Sequence, residues 1–321
     1  MTPDRPSEIA ERPFHEGELW IQERVGIAEK IQVAAQRSIR DFMPDQHRGF
    51  FTQLPFLVVG SLDASGHPLA SMLTGAPGFI TSPDERELWI RARPHHADQL
   101  GNVLAPGTPL GLLGIELHTR RRNRVNGRVS RCGADGFGVR IDQSFGNCPK
   151  YIQARTLDAG AAEWQLRDKV RIHRSTVLDA DMGSILKRSD TFFIATAHPD
   201  ARSANDRVTG ADVSHRGGKP GFVTLESSTE LTFPDYQGNF FFNTLGNLLL
   251  NPRAGLLFVD FDSGDLLSLK GEGHVIWDEA EIATHDKALR LVRFRVMEAT
   301  RMEAVIPWRW GPPVISPHLL G

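Results

Sequence analysis

Gly218-Lys219-Pro220-Gly221-Phe222-Val223 leads a series: Glu230-Leu231-Thr232-Phe233, then Leu245-Gly246-Asn247-Leu248, then Gly255-Leu256-Leu257-Phe258-Val259-Asp260-Phe261. An earlier stretch runs through the same series. It reads Gly75-Ala76-Pro77-Gly78-Phe79-Ile80, then Glu87-Leu88-Trp89-Ile90, Leu100-Gly101-Asn102-Val103 and Gly111-Leu112-Leu113-Gly114-Ile115-Glu116-Leu117. The offsets are 218 − 75 = 143, 230 − 87 = 143, 245 − 100 = 145 and 255 − 111 = 144. Four matches in one order at nearly constant offset point to an internal duplication, and such a duplication means one structural unit built twice.

Within each copy the pattern is of short strands. Phe56 to Ser61 and its counterpart Thr191 to Thr196 read as buried strands, and Asp63-Ala64-Ser65-Gly66 as a hairpin turn. Leu69 to Leu73 and Asp212 to His215 are the strands that follow. Asn126-Gly127-Arg128-Val129 is read as the close of copy one, Leu266 to Ile276 as closing strands of copy two. Lys287 to Ala299 is a helix or a strand, which the pattern leaves open. One helix precedes the apolar strand of each copy. In copy two it is expected to start near Gly238-Asn239, to bury Phe242, Leu245, Leu248 and Leu249, and to end at Asn251-Pro252. The fold class is thus mainly β with helices (α+β), a small barrel or sandwich per copy. No Gly-x-Gly-x-x-Gly follows a strand, so a Rossmann fold has no support.

The expected organisation is a helical extension over 1–50, with a helical stretch from Ile21 to Phe42 carrying Ile27, Ile31, Ala34 and Ala35. A first β unit follows over 51–142, a helical connector over 143–188 with a helix at Ala161 to Arg167, and a second β unit over 189–321. A length of 321 residues accommodates two such units. A net charge of −2 gives no general attraction to nucleic acid or membrane, and neither is expected as a partner. The 2 cysteines, Cys132 and Cys148, are too few for a disulfide framework. With no signal-like start and no apolar run near the ~20 residues of a membrane helix, a cytoplasmic location is expected.

The copies differ in polar chemistry. Where copy one has Met72, Leu73 and Ala76, copy two has His215, Arg216 and Lys219. Where the helix of copy two has Asn243, followed by Thr244, copy one has Asp98. A helix N-terminus with free N–H groups beside two cations suits a phosphate, and a carboxylate there repels one. Copy two is therefore expected to hold an anion and copy one to serve as degenerate scaffold. Arg120, Arg121, Arg122 and Arg124 read as a solvated hairpin, with the alternative that they face an anionic substrate or cofactor phosphate. Cys148 reads as an inert buried thiol. His15, Glu16 and Glu18 lack His-Glu-x-x-His spacing, the pair His95-His96 is no metal signature, and no metal is expected.

The run Asp212 to Val223 with Phe241 to Phe258 resembles the pyridoxamine 5′-phosphate oxidase-like FMN-binding split-barrel family, in the subset with two barrels in one chain. Ser144 to Gln153 is also typical of that subset, and the likeness covers most of residues 45 to 310. It implies two tandem split β-barrels, FMN as cofactor, a homodimer, and an oxidoreductase acting on a small organic substrate or on oxygen. A non-catalytic flavin or haem carrier or sensor is the alternative. The resemblance implies that Ser214, His215, Arg216, Asn239, Asn243 and Thr244 contact the FMN phosphate and ribityl chain, with Lys219 a further source of charge. It sets Pro220, Gly221 and Phe222 along the flavin, and Arg309 and Trp310 over its ring. Thr244 stands where many members have a lysine. No counterpart of the family's substrate-holding arginine–histidine pair is found near the C-terminus, so pyridoxine oxidation is not carried over.

Overall fold

The computed structural model describes residues 13–158, 167–203 and 206–320. Three helices come first: α1 (Glu16–Arg24), α2 (Ala28–Ser38) and α3 (Asp45–Thr52). The expected single stretch over 21–42 is thus broken, because Gly26 takes φ 72 and ends α1 after the Val25 cap. On α2 only Ile31 and Ala35 are buried, so Ala34 falls outside the stripe.

The first sheet comprises β1 (Phe56–Leu62), β2 (Pro68–Thr74), β3 (Ile80–Asp84), β4 (Glu87–Ile90), β5 (Pro109–Glu116), β6 (Arg121–Cys132) and β7 (Phe137–Gly146). Two short strands, β8 (Leu157–Asp158) and β9 (Ile172–Ser175), precede α4 (Ala180–Arg188). The second sheet comprises β10 (Thr191–Ala197), β11 (Ala211–Gly217), β12 (Thr224–Ser227), β13 (Glu230–Asp235), β14 (Arg253–Val259), β15 (Leu266–Ile276) and β16 (Arg290–Met302). Helix α5 (Asn243–Leu250) precedes β14, and a short α6 (Glu279–Ile282) precedes β16. Strand β17 (Arg309–Trp310) pairs with β8.

The first sheet has the order β2-β1-β5-β6-β7-β4-β3, and the second β11-β10-β14-β15-β16-β13-β12, with β9 added on β16. Replacing each strand by its counterpart turns one order into the other, and the pairings are antiparallel throughout. The two sheets also meet through equivalent residues. A Cβ on Gly111 would lie 2.7 Å from the carbonyl of Ala211, and one on Gly255 would lie 2.6 Å from that of Pro68. Both positions need glycine because backbone packs on backbone there. Val58, Met72 and Leu113 from one sheet interleave with Phe193, Val213 and Leu257 from the other. Each sheet buries its own core besides.

Two further expectations are corrected and one open reading is decided. Asn126-Gly127 does not close copy one: it lies inside β6 at a bulge, with β7 still to follow, and Gly127 is pressed against the carbonyl of Arg140. The chain turns before it, at Leu117 to Arg120, where Arg120 has φ 59. The 143–188 connector is helical only in α4 among its described residues, and the helix expected at Ala161 to Arg167 lies, apart from Arg167, outside them. The segment left open at Lys287 to Ala299 is strand from Arg290 onward, because it supplies the partner of both β13 and β15.

Candidate functional site

Strand alternation builds the site. On β11, Asp212, Ser214 and Arg216 share one face, and on β6, Arg122 and Arg124 share another. The two faces meet. The Arg124 guanidinium donates from Nη1 to Asp212 Oδ1 at 3.0 Å and to Asn243 Oδ1 at 3.1 Å, and from Nη2 to Ser214. Thr244 Oγ1 donates to Ser214 Oγ at 3.0 Å. Arg216 Nη1 pairs with Asp235 Oδ1 at 3.0 Å, and Arg290 grips Oδ2 of the same carboxylate at 3.0 and 2.8 Å. Arg122, Arg124, Ser214, Arg216, Asp235, Asn243 and Thr244 line a cavity of about 90 Å³, with Asn147, Asn239, Tyr236, Phe240 and Phe242 at its walls, while Asp212 and Arg290 stand behind it.

The local folding of the wall is unusual. Phe240 and Phe242 have φ 62 and 63, a left-handed conformation costly for a bulky residue and typical of functional segments. The second of these residues is the N-cap of α5, which therefore starts at Asn243, later than expected from the sequence. No side chain caps its first N–H groups. On the far side of α5, Leu249 is exposed rather than packed. Helix α1 crosses α5 at Gly246, where a Cβ would lie 2.7 Å from the Glu18 nitrogen. That crossing brings the buried Glu18 carboxylate to the Asn243 amide.

The electrostatics favour an anion. Three guanidinium groups (Arg122, Arg124, Arg216) and one carboxylate (Asp235) line the cavity, an excess of two positive charges that the Arg290 and Asp212 pairs behind it leave unchanged. Burial pushes the Glu18 carboxyl well above the usual range, and nearby Asp212 adds to that. Burial lowers Arg122 to about 10, with Arg124 and Arg216 repelling it, and no carboxylate among the described residues pairs with it. Its Nε donates to the Cys148 carbonyl at 2.7 Å. Burial, with Arg122 and Arg216 nearby, holds His215 well below its ordinary value, as a neutral imidazole. Several buried polar atoms at the cavity have no partner: Arg124 Nε, Arg216 Nε, Asn147 Nδ2 and both ring nitrogens of His215. An unpaired buried donor costs about 1–3 kcal/mol, so this concentration around one cavity favours a ligand that accepts.

Six of the expected residues come together here: Ser214, His215, Arg216, Asn239, Asn243 and Thr244. Six others do not line the cavity. Lys219 is exposed on the turn that follows β11. Pro220 and Gly221 complete that turn, with Gly221 at φ 88 and Phe222 N bonded to Lys219 O at 2.9 Å. Phe222 is a core residue stacked on Phe192 at 5.7 Å, its Cβ 2.5 Å from where a Cβ on Gly218 would stand. Phe79 packs on Gly75 in the same way, so the repeated Pro-Gly-Phe seals a sheet in both copies. Trp310 is buried among Phe56, Phe261 and Trp308, and Arg309 Nη1 bonds the Ile306 and Trp308 carbonyls, both at 2.9 Å. Arg122 and Arg124, expected on a solvated hairpin, instead line the cavity. Their spacing of two, on a strand, is the signal that they share a face.

In copy one Asp98 caps its own short 3₁₀ turn, accepting from Leu100 N at 2.9 Å and from Ser71 Oγ at 2.8 Å. The chain thus supplies its own anion where copy two leaves the helix start uncapped. Beside the Arg124 network and next to Glu18, the trio His15, Glu16 and His198 brings possible ligand atoms within 4.8 Å of one another. Each ring accepts a backbone N–H at Nδ1, from Gly17 at 3.2 Å and Asp200 at 3.1 Å. A neutral ring then carries its proton on Nε2, and in His198 that nitrogen meets Glu16 Oε1 at 3.1 Å, which suits hydrogen bonding better than metal ligation.

No protein-family model matches the chain, and no curated protein matches it. Among solved structures it is similar to a candidate pyridoxamine 5′-phosphate oxidase from Lactobacillus delbrueckii, at 14% identity and TM-score 0.30, covering 39% of this chain and 94% of that one. It is similar to a protein of unknown function from Corynebacterium diphtheriae at 19% identity and TM-score 0.29, covering 41% and 98%. A third is the FAD-binding protein of Mycobacterium smegmatis, at 15% identity and TM-score 0.27, covering 40% and 99%.

Proposed function

We propose that the protein binds FMN and acts as an oxidoreductase on a small organic substrate or on oxygen. In this reading each sheet closes as a split barrel, and the cofactor phosphate enters the cavity between them. The observation that carries the reading is the set of unpartnered buried donors around a cavity with two excess positive charges. A phosphate monoester brings a matching charge and several acceptor oxygens. The cavity's volume of about 90 Å³ is several times the ~10–15 Å³ that a single water needs, so a phosphate group has room to enter. The resemblance of residues 212–223 and 241–258 to FMN-binding split barrels supplies the identity of the cofactor.

Arg122, Arg124 and Arg216 would hold the phosphate, with the uncapped first turn of α5 contributing N–H groups. Asn147 and Asn239 are placed for the sugar-like chain, and Tyr236, Phe240 and Phe242 keep water from the charges. When bound, FMN supplies the electron-transfer chemistry; the chain supplies binding, orientation and electrostatics. His215 is neutral and carries both donor and acceptor capacity. The test is titration of the flavin-free protein with FMN, FAD and riboflavin, followed by fluorescence. FMN should bind far more tightly than riboflavin, and the bound flavin should bleach with NADH or NADPH. Equal affinity for riboflavin would remove the phosphate site, and a bound flavin that neither donor bleaches would make the protein a carrier.

A further inference from the structure

The duplication predicts a second cavity, and the structure has one. It also measures about 90 Å³. The first cavity is built from β5 and β6 of the first sheet with β11 and α5 of the second. The other inverts this, using β14 and β15 of the second sheet with β2 and the Asp98 turn of the first. The registers make the residues equivalent: Leu113 faces Arg124 across β5 and β6, and Leu257 faces Ser268 across β14 and β15. Ser268 therefore stands where the first cavity has Arg124, Leu69 where Arg124 finds its partner Asp212, and Asp98 where the first cavity has Asn243.

These exchanges reverse the charge. Asp63, Asp98 and Glu298 face Lys270 and Arg174, an excess of one negative charge. Lys270 is already paired with Asp63. Both hydrogen bonds that Asp98 takes among the described residues use Oδ1, which leaves Oδ2 for a ligand. Leu69, Ala70 and Leu256 give the cavity an apolar wall. We propose that this second cavity is a binding site for a compact organic ammonium ion, its nitrogen at Asp98 and its stem on the apolar wall. The site is separate from the phosphate cavity and does not depend on what that cavity holds.

n-Butylammonium is the probe, with butyrate and inorganic phosphate as opposite-charge controls, followed by amide NMR shifts on the full chain. Butylammonium should shift Ala70, Gln99 and Thr300, and butyrate and phosphate should not. Asp98→Asn keeps the Oδ1 acceptor for Ser71 and Leu100, so the fold should stand while affinity falls at least about tenfold. Ala70→Leu should fill the space and abolish the shifts. Burial pushes the Asp98 carboxyl up to about 6, so binding should weaken as pH falls below that value, with Asp63, Glu298, Lys270 and Arg174 the other charges in view. Arg122→Ala, at the other cavity, should leave all of this unchanged. Equal shifts from butyrate, or an Asp98→Asn chain that binds as before, would overturn the proposal.

Discussion

At the scale of single residues, Arg122 separates binding from stability. Its guanidinium is buried without a carboxylate partner, a cost the fold accepts unless a ligand brings the counter-charge. Arg122→Ala should therefore weaken FMN binding by about 1.5–3 kcal/mol while leaving the ligand-free protein as stable or more so. Fluorescence titration and urea unfolding of the same variant check both halves. Lys219→Ala, on the exposed turn, should change affinity far less. His15 belongs to the same scale. Burial beside His198 lowers it from 6.5 to about 4, so it is neutral in the fold and charged in the unfolded chain between those values. The unfolded state binds more protons there, so the contribution is full above 6.5 and is lost as pH falls toward 4, about 3 kcal/mol in all. Urea midpoints at pH 7.5 and 4.5 should converge less for wild type than for His15→Asn, whose amide keeps a capping acceptor.

At the scale of elements, the crossing of α1 and α5 joins the N-terminal helices to the first cavity. Gly17 and Gly246 let the two backbones touch, and Glu18 reaches Asn243 as a result. Gly246→Ala places a methyl 2.7 Å from the Glu18 nitrogen, and backbone has no rotamer to escape into. A loss of about 1–3 kcal/mol is expected. The equivalent glycine of the first copy, Gly101, has nothing within 4 Å, so Gly101→Ala should stay within about 0.5 kcal/mol. Equilibrium unfolding of the two variants side by side tests the asymmetry. The helix break at Gly26 and the late start of α5 belong here too. Both turn on φ values above zero, and Phe242 gives no sign in the sequence of adopting one.

At the scale of the whole molecule, two sheets with one strand order pack through equivalent strands, and each cavity is lined from both. Duplication at first preserves both sites; divergence of the side chains then separates them. The chain should bind one FMN, not two, because Asp98 already fills the anion position of the first copy. Isothermal titration gives the stoichiometry directly, and a value of two would mean that Asp98 is displaced.

Much of this was legible before any tertiary structure. The repeat and the antiparallel strands follow from local pattern, and His215, Arg216, Asn243 and Thr244 from comparing one copy with the other; Ser214 and Asn239 follow only from the family resemblance. The partners across the cavity do not. Arg122 and Arg124 lie 212 − 124 = 88 and more positions from Asp212, and no local period encodes which face of β6 a second sheet will cover. The Pro-Gly-Phe turn shows the reverse case. Its conspicuous motif serves packing, since Phe222 and Phe79 close on a glycine in each sheet. Local pattern alone shows that one unit occurs twice and which copy keeps its cations. That the site is shared between the copies emerges only once the two sheets pack. Burial and charge pairing are set by what packs against a strand, and that is a property of the whole chain.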